Sequence, residues 1–579
     1  TYKGGGGGGG RISINATNNN YSGIVTTNSG SGYEPGGSGY IYGYADRVYR
    51  SVGSRSTALN PSGATVTISE GTNVATFNMA MPDNIGAGDV LQFTKSGTYY
   101  LNFITARTSS TTFSVSSWDA KLPATSSAAT VNIYRPFQSL YNWAQQSTTT
   151  VNSNINSAVR YLILPGRDLT DTASNTAIFV PCYYDGSADT STTTIDGWTT
   201  SAANYVRIYT PYQESEAGDS QRHDGQWNDS RFRVEVTNNY PFIVRDANVR
   251  IEGLQINLTV TDNNNYDAIY FDLDESSDVR AGWNVIKGVI NGSGIVSGIR
   301  ASTSAMTAKV FNNIIYDFTD VTTPNNKYGM IMTSDANFIY NNTVVNSYNG
   351  IYGTSSSLAL NNLVQDSNDG YANQFNVASD FNISDSGSDA PNSTFTAGNS
   401  AITINFANAG SDDYHLASTD TAARDSGSGD PEGTFLVDID GNSKVDWDIG
   451  ADEMVQTIYR SVGPSNTSAL ASGSASNHLN IVNSTSLATF DENLATNIGV
   501  GDIIVYNSSG YLAVIHARNS AKEFVVKTTY GKNPTAISND EGWTIYRAYT
   551  SLADAENCEE NASIPVALRN FDECSSGRD

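Results

Sequence analysis

The sequence predicts an all-β protein, and three observations lead to that expectation. A motif of two short apolar strands around a turn recurs five times between residues 249 and 367. A longer block of sequence occurs twice, at 48–137 and at 458–549. Gly, Ser, Thr, Asn and Asp are abundant, while long helical patterns are nearly absent, as is typical of turn-rich β-proteins.

The five copies of the motif predict stacked repeats. Each copy places a polar or glycine pair between its strands, and successive pairs are 35, 25, 29 and 20 residues apart. Asparagine tolerates the left-handed backbone of such turns, and asparagines in successive repeats can bond as a ladder. We therefore predict a right-handed parallel β-helix, with a β-sandwich as the alternative. The pairs are Glu252-Gly253, Lys287-Gly288, Asn312-Asn313, Asn341-Asn342 and Asn361-Asn362.

The duplicated block predicts two homologous small β-barrel or sandwich modules that flank the repeats. Residues 48–53 match 458–463, and residues 84–90 match 497–503. The offset between the copies stays between 410 and 413 residues. Gly166-Arg-Asp168 also matches Gly577-Arg-Asp579, so we interpret the sequence as one full period and the start of a second.

These patterns divide the sequence into five predicted regions. They are a Gly/Tyr-rich N-terminal segment (1–47), a first module (48–137), a parallel β-helix with an N-terminal helical cap near 139–158 (138–455), a second module (456–550) and a C-terminal tail (551–579).

The composition limits the possible partners. The net charge of −26 argues against nucleic acid, which requires clustered Lys and Arg. No apolar run approaches the length of a bilayer span, so no membrane span is expected. We expect Cys182 to be buried, and Cys558 and Cys574 can pair in an oxidising compartment.

Several motifs resemble one known family. They are the Asn-Asn turns, the strand ending in Leu164-Pro-Gly166, and the ending Asp438-Ile-Asp-Gly-Asn442 with Asp448-Ile-Gly-Ala-Asp-Glu453. This combination resembles secreted bacterial right-handed parallel β-helix proteins of the large surface-anchored type. The resemblance implies an extracellular or cell-surface location but no single function, because the scaffold hosts enzymes, adhesins and spikes.

The acidic ending is the candidate metal site. Asp438, Asp440, Asn442, Asp446 and Asp448 supply oxygens at alternate positions, as a calcium loop does. Ile449 stands where a bidentate Glu would complete such a loop. The alternative is a capping turn in which the side chains bond their own backbone.

Two further sets of residues are weaker candidates for chemistry. The densest acidic cluster has a solvated sheet edge as its alternative, and each tryptophan offered for glycan stacking has burial as its alternative. His223 beside Asp224 is interpreted as a loop turn, and no catalytic residue is assigned. The two sets are Asp267, Asp272, Asp274, Glu275 and Asp278 with Arg280, and Trp143, Trp198, Trp227 and Trp283.

The leading functional hypothesis is an exported structural protein that forms a filament or fibre. It predicts head-to-tail self-association, with the glycine segment 4–14 as an inserted strand. One alternative is a polysaccharide lyase or glycoside hydrolase on the β-helix scaffold. The other is a glycan-binding adhesin or tail-spike-like fibre, for which carbohydrate is the partner.

Overall fold

The computed structural model describes the greater part of the chain. The described residues are 12–13, 41–42, 45–69, 71–171, 175–273, 278–303, 305–320, 323–429, 436–444, 447–454, 459–463, 469–508, 510–529, 533–556, 561–565 and 568. The chain divides into two compact units, residues 1–454 and residues 455–579. Short strands dominate both units, which confirms the all-β class. Of the glycine segment 4–14, only 12–13 is described.

The first unit begins with nine strands, and six of them form a closed barrel. Every pairing in the barrel is antiparallel, in the order β4-β5-β8-β7-β6-β9. Alternate residues of each strand fill its interior, as Val66 and Ile68 do on β4. The strands are β1 (Ile12–Ser13), β2 (Ile41–Tyr42), β3 (Asp46–Tyr49), β4 (Thr65–Ile68), β5 (Val74–Phe77), β6 (Val90–Lys95), β7 (Thr98–Arg107), β8 (Thr112–Ser116) and β9 (Ser126–Tyr134).

The next twenty-one strands of the described residues follow the barrel in the first unit. They are β10 (Thr176–Pro181), β11 (Thr193–Ile195), β12 (Val206–Tyr209), β13 (Arg233–Thr237), β14 (Phe242–Val244), β15 (Val249–Glu252), β16 (Gln255–Val260), β17 (Tyr266–Phe271), β18 (Asp278–Gly282), β19 (Val285–Ile290), β20 (Val296–Ala301), β21 (Thr307–Phe311), β22 (Ile314–Tyr316), β23 (Lys327–Met332), β24 (Ala336–Tyr340), β25 (Thr343–Val345), β26 (Asn349–Gly353), β27 (Ser357–Leu360), β28 (Leu363–Gln365), β29 (Asp369–Asn373) and β30 (Ile383–Ser384).

These strands form three long parallel sheets. From β12 to β29, each repeat of the chain gives one strand to each sheet, so neighbours within a sheet differ by three in number. The sheets are ordered β27-β24-β21-β18-β15-β12-β10-β3, β11-β14-β17-β20-β23-β26-β29 and β13-β16-β19-β22-β25-β28-β30. Because β3 precedes the barrel and pairs with β10, the barrel is an insertion at the edge of the first sheet.

The apolar core of this region is a set of stacked rows. Residues in register on neighbouring strands point inward together, because the side-chain period of a strand is two. One such row, fully buried, is Ile208, Ile251, Ala281, Val310, Ile339 and Ala359.

A buried asparagine ladder runs along the same region. The Asn284 amide donates to Oδ1 of Asn313 at 2.9 Å, and Asn313 donates to Asn342 at 2.9 Å. Asn342 donates to Asn362, which donates to Asn382, each at 3.0 Å. An unpaired buried amide costs roughly 1–3 kcal/mol, so each rung holds its repeat in register with the next.

The residue before each rung has the left-handed backbone that was expected of the turns. Asn312, Asn341 and Asn361 have φ of 50°, 51° and 56°, and the Asn361 amide donates to Asn341 at 3.2 Å. The expected pair Lys287-Gly288 is wrong, because both residues lie inside β19. The turn of that repeat is at Trp283, with φ of 55°.

The predicted helical cap is shorter than expected. One α-helix, α1 (Leu140–Ala144), begins at Ser139, whose side chain accepts the N–H of Asn142. A 3-10 helix spans Arg160–Ile163. Between them, Gln146 has φ of 49°, and the Ser/Thr-rich stretch that follows favours turns over helix. No helix among the described residues is long and apolar enough to cross a bilayer.

The first unit ends in an irregular segment that packs against strands of the third parallel sheet. It contains an antiparallel pair, β31 (Phe406–Asn408) and β32 (Asp413–Leu416), and two short 3-10 turns, Thr396–Asn399 and Ala409–Ser411. A further 3-10 turn, Pro324–Asn326, lies earlier in the chain, between β22 and β23. Tyr414 and Ile439 share an apolar cluster with Tyr316 of β22. The acidic ending is thereby fixed against the side of the parallel sheets.

The second unit repeats the pairing pattern of the barrel. The pairs β34–β35, β35–β38, β37–β38 and β36–β37 match those of β4–β5, β5–β8, β7–β8 and β6–β7. The counterpart of β9 is divided into β39 and β40. The elements are β33 (Ala471–Ser472), β34 (Leu479–Val482), a 3-10 turn (Asn483–Thr485), β35 (Leu487–Phe490), β36 (Ile503–Tyr506), β37 (Tyr511–Arg518), β38 (Glu523–Lys527), β39 (Ile537–Asp540), β40 (Thr544–Tyr546) and α2 (Leu552–Glu556).

Candidate functional site

The acidic ending uses two of its predicted calcium ligands to hold its own backbone. Asp438 accepts the N–H groups of Asp440 and Asn442 through Oδ1 and of Glu453 through Oδ2. Asp448 accepts the N–H groups of Asp425 and Met454. These are the bonds of a capping turn.

The remaining predicted ligands separate from this turn. The Asn442 amide donates to Asp438 at 3.2 Å, and Asp440 turns toward His415. Asp446 lies outside the described residues. Burial raises the pKa of Asp448 to about 7, although the two backbone hydrogen bonds that it accepts lower it. Calcium binding by the five residues stays a prediction.

A second cluster forms where β32 meets the acidic ending. His415 lies between two carboxylates, with Nδ1 2.5 Å from Asp413 Oδ1 and Nε2 3.2 Å from Asp440 Oδ1. Asp452 completes the group, and one ligand atom from each of His415, Asp440 and Asp452 lies within 4.8 Å of the others. Asp440 and Asp452 both belong to the acidic ending, and His415 on β32 precedes it in the chain.

The electrostatics of the cluster are dominated by its carboxylates. Burial lowers the pKa of His415, but the hydrogen bonds and charges of Asp440, Asp452 and Asp413 outweigh it and raise that pKa to about 10. Burial raises the pKa of Asp452 to about 6, and its Oδ2 accepts the Leu416 N–H at 2.7 Å. The imidazole therefore carries a proton that its neighbours stabilise.

The loop before β13 closes one side of the cluster. His223 is buried, its Nδ1 accepts the N–H of Gly225, and Nε2 therefore donates to the carbonyl of Trp283. Burial lowers the pKa of His223, so it is neutral. A cavity of about 290 Å³ opens beside it, lined by Tyr212, Ser220, Arg222, His223, Asp224, Arg231 and Asp440.

The predicted acidic cluster on β17 and β18 disperses into separate interactions. Asp267 is buried and accepts the Ser297 hydroxyl at 2.6 Å, and burial raises its pKa to about 6. Asp272 binds Arg245 at 3.1 Å. Asp278 binds Arg280 at 2.8 Å. Asp274 and Glu275 lie outside the described residues.

The tryptophans chosen from the sequence are mostly covered. Trp143 and Trp198 are buried and stack with ring centroids 5.8 Å apart. The Trp283 ring N–H donates to the Val437 carbonyl at 3.2 Å, and Lys287 lies 3.8 Å from the Trp227 ring centroid. Cys182 is a buried free thiol, while Cys558 and Cys574 lie outside the described residues.

Sequence reasoning missed Trp118, which lies in a groove beside the barrel. The groove has a volume of about 710 Å³ between the barrel and residues 158–162. Tyr99, Trp118, Leu122 and Tyr161 line it with 40–63 % of their surface exposed. Its lining residues carry no charge.

The missed residues differ in how well the sequence could have revealed them. Asp413 and His415 are two apart on a strand, which puts both side chains on one face and was a usable signal. Trp118 follows a strand without any distinguishing pattern.

Comparisons with known proteins add no relative: no protein-family model, no curated protein and no solved structure matches this chain.

Proposed function

We propose that the parallel-stranded region of the first unit is a right-handed parallel β-helix, and that the chain is a structural protein of an extracellular or cell-surface filament. Three parallel sheets whose strand numbers rise by three support the winding, and the asparagine ladder fixes one rung in each repeat. The turn-rich, acidic composition supports export.

One observation carries the filament: the second module exposes positions that the first module buries against a parallel strand. Val52 forms a parallel bridge with Cys182 and is fully buried, as is Leu140. Their counterparts Val462 and Leu552 are 36 % and 78 % exposed.

In the first module, the equivalent surface pairs with the parallel-stranded region. In the first unit, the Val52 N–H donates to the Pro181 carbonyl and Val52 accepts the Tyr183 N–H. A strand edge with the same apolar positions favours pairing with another strand edge. We propose that the second module contacts the parallel-stranded region of a neighbouring copy. Such a heterologous contact gives head-to-tail polymers when the rotation between copies does not close into a ring.

The test is light scattering and electron microscopy of the full chain across a concentration series. Polymers that lengthen with concentration are expected, and Val462→Asp or Leu552→Asp should disperse them. Val482→Asp is the matched control, because Val482 is 50 % exposed elsewhere on the second module. A chain that stays monomeric at high concentration, or polymers that survive both substitutions, would contradict the proposal.

The uncharged groove favours a second function, the binding of a neutral polysaccharide. Exposed aromatic rings present flat apolar faces, and Thr98 and Ser117 add hydroxyl groups beside Tyr99 and Trp118. An acidic polymer is a poorer ligand, because the lining offers no cation.

Affinity electrophoresis in gels containing a neutral soluble glucan tests this function. Trp118→Thr, which installs the residue at the matching position 529 of the second module, should remove any retardation. Tyr141→Ala is the control, since Tyr141 is 47 % exposed outside the groove. Equal migration of wild type with and without glucan would exclude this glucan as the ligand.

A further inference from the structure

We propose that His415, Asp440 and Asp452 form a binding site for a divalent first-row transition metal ion, with Zn²⁺ as the representative ion. The site shares only Asp440 with the calcium loop expected from the sequence. It lies beside the parallel sheets, against the loop before β13, and is independent of the filament proposal.

The ligand atoms already have the separation that such an ion requires. Nε2 of His415 lies 3.2 Å from each carboxylate oxygen of Asp440. Zinc binds nitrogen and oxygen at about 2.0–2.2 Å in a tetrahedron, which places neighbouring ligand atoms about 3.3–3.6 Å apart. The Asp452 carboxylate has an oxygen within 4.8 Å of both partners, and it must move toward them to complete the set.

Asp413 supplies an independent indication of a metal ligand. Its Oδ1 accepts the Nδ1–H of His415 at 2.5 Å, on the same face of β32. Histidines that bind metals commonly donate their other ring N–H to a carboxylate, which fixes the tautomer and orients the ring. With Nδ1 engaged, Nε2 is the nitrogen that faces Asp440 and Asp452. A bound ion would take the place of the Nε2 proton.

The donor set selects the class of ion. One imidazole and two carboxylates suit Zn²⁺ and its first-row neighbours, whereas Ca²⁺ takes six to eight oxygen ligands at about 2.3–2.6 Å. Asp438 and Asp448, the other carboxylates of the acidic ending, are occupied by backbone N–H groups.

Gly225 packs directly against these ligands. A Cβ at this position would lie 2.2 Å from Nε2 of His415 and 2.7 Å from Oδ1 of Asp440. Its φ of 82° also favours glycine. The cavity of about 290 Å³ is lined by Asp440, so solvent reaches this one of the three ligands.

The test is calorimetric titration of the untagged full chain with Zn²⁺ after removal of metal by a chelator. One site per chain is expected, together with a rise in the thermal unfolding midpoint, because an ion that binds only the folded state stabilises it. His415→Gln and Asp440→Asn should each weaken binding at least tenfold. Asp413→Asn should weaken it by about 10–100-fold, as loss of an orienting carboxylate does.

A matched control separates this site from adventitious surface binding. In the second unit, His478 makes the same contact with Asp491, at 2.5 Å, and lies 3.4 Å from Glu541, but among the described residues it belongs to no three-ligand group. His478→Gln should leave zinc affinity unchanged. Circular dichroism checks that each variant is folded. If His415→Gln does not fold, Asp440→Asn is the variant that tests the site.

Three results would overturn the proposal. They are the absence of zinc binding by wild type, zinc binding that survives both His415→Gln and Asp440→Asn, and loss of binding only in His478→Gln. Calcium binding that outcompetes zinc and persists in His415→Gln would likewise overturn it, in favour of the calcium loop at 438–448. Replacement of zinc by Co²⁺ should give the visible absorption of a tetrahedral site.

Discussion

The two modules share one internal network of arginines but differ in what covers them. In the first module, Arg135 binds Asp89 at 2.6 Å, and in the second, Arg547 binds Asp502 at 2.5 Å. The first pair is wholly buried, whereas the Arg547 side chain is 19 % exposed. The same side chains thus make the same contact in two different environments.

A second arginine gives the same result. Arg107 donates to the carbonyls of Met81, Pro82 and Ile85, as Arg518 does to those of Leu494, Ala495 and Ile498. Contacts inside the module therefore recur wherever its sequence recurs.

The difference lies on the side that meets the parallel strands. Arg135 also binds Asp185 at 3.1 Å, a residue of the first parallel repeat. Burial lowers the pKa of Arg135, but Asp89 and Asp185 more than offset this and raise it. The internal contacts of a module are therefore determined by its own residues. The burial of one of its surfaces depends on whatever packs against that surface.

The largest expected effect comes from removing the buried carboxylate. Asp89→Ala leaves Arg135 with a single carboxylate partner, Asp185, in a dry site and should cost about 3–5 kcal/mol, as broken buried pairs do. Asp502→Ala should cost clearly less, because water reaches Arg547. Hydrogen exchange of peptides from each module measures the two opening free energies in the full chain. Equal losses would break the comparison.

Truncating the matched leucines should give the next largest difference. Leu140 is fully buried, so Leu140→Ala should destabilise the first unit by about 2–5 kcal/mol through lost contacts and a cavity. Leu552 is 78 % exposed, so Leu552→Ala should change stability by no more than about 0.5 kcal/mol. Denaturant unfolding of a dilute, non-associated sample gives both values, and a large effect of Leu552→Ala there would show that this side is already covered within the chain.

A smaller difference is expected at the matched glycines. A Cβ on Gly53 would lie 2.3 Å from Asp185 Oδ2 and 3.1 Å from the Tyr183 carbonyl, whereas one on Gly463 would meet only the Arg547 side chain, at 2.9 Å. Gly53→Ala should cost about 1–3 kcal/mol, as overpacking does, and Gly463→Ala less than about 1 kcal/mol. The same exchange measurement ranks them, and the reverse order would refute the stated contacts.

The smallest expected effect is a pH dependence confined to the second module. Burial lowers the pKa of His516, with Lys527 and Arg460 adding to the shift, while the matching position 105 is a threonine. A histidine with a lowered folded pKa contributes stability above its unfolded value near 6.5, and this is lost as pH falls below it.

Since the His516 ring is only half-buried, the loss should be well under about 1 kcal/mol. Exchange of the peptide covering β37 at pH 7.5 and pH 5 measures it after correction for intrinsic rates. His516→Thr should remove the dependence, and its persistence in that variant would assign it to other groups.

The repeats and the duplicated module could be predicted because their signals recur at fixed spacing. An Asn-Asn pair marks three of the five turns, and a nearly constant offset links the two modules. The prediction was wrong at Lys287-Gly288, because Gly288 resembles a turn residue although it lies within β19. The true turn at Trp283 was hidden, since tryptophan rarely adopts a positive φ.

The His415 cluster could not be predicted in full. Its members depend on how residues 385–454 fold back on the parallel sheets, and that segment has no period to follow. The sequence placed Asp440 in a calcium loop because only local spacing was visible. Whether Asp438 and Asp448 bind metal or their own backbone is decided by tertiary packing, which local spacing does not encode.

The asparagine ladder has a consequence for how such a chain changes length over evolutionary time. Successive rungs are 29 residues apart at Asn284, Asn313 and Asn342, and 20 residues apart at Asn342, Asn362 and Asn382. The hydrogen bonds between them are nevertheless 2.9–3.0 Å long throughout. Loops away from the rungs thus tolerate insertions and deletions, while the ladder position does not. Duplication of one repeat together with its asparagine adds one turn of strands and one rung without disturbing the others. The region therefore changes length by whole repeats.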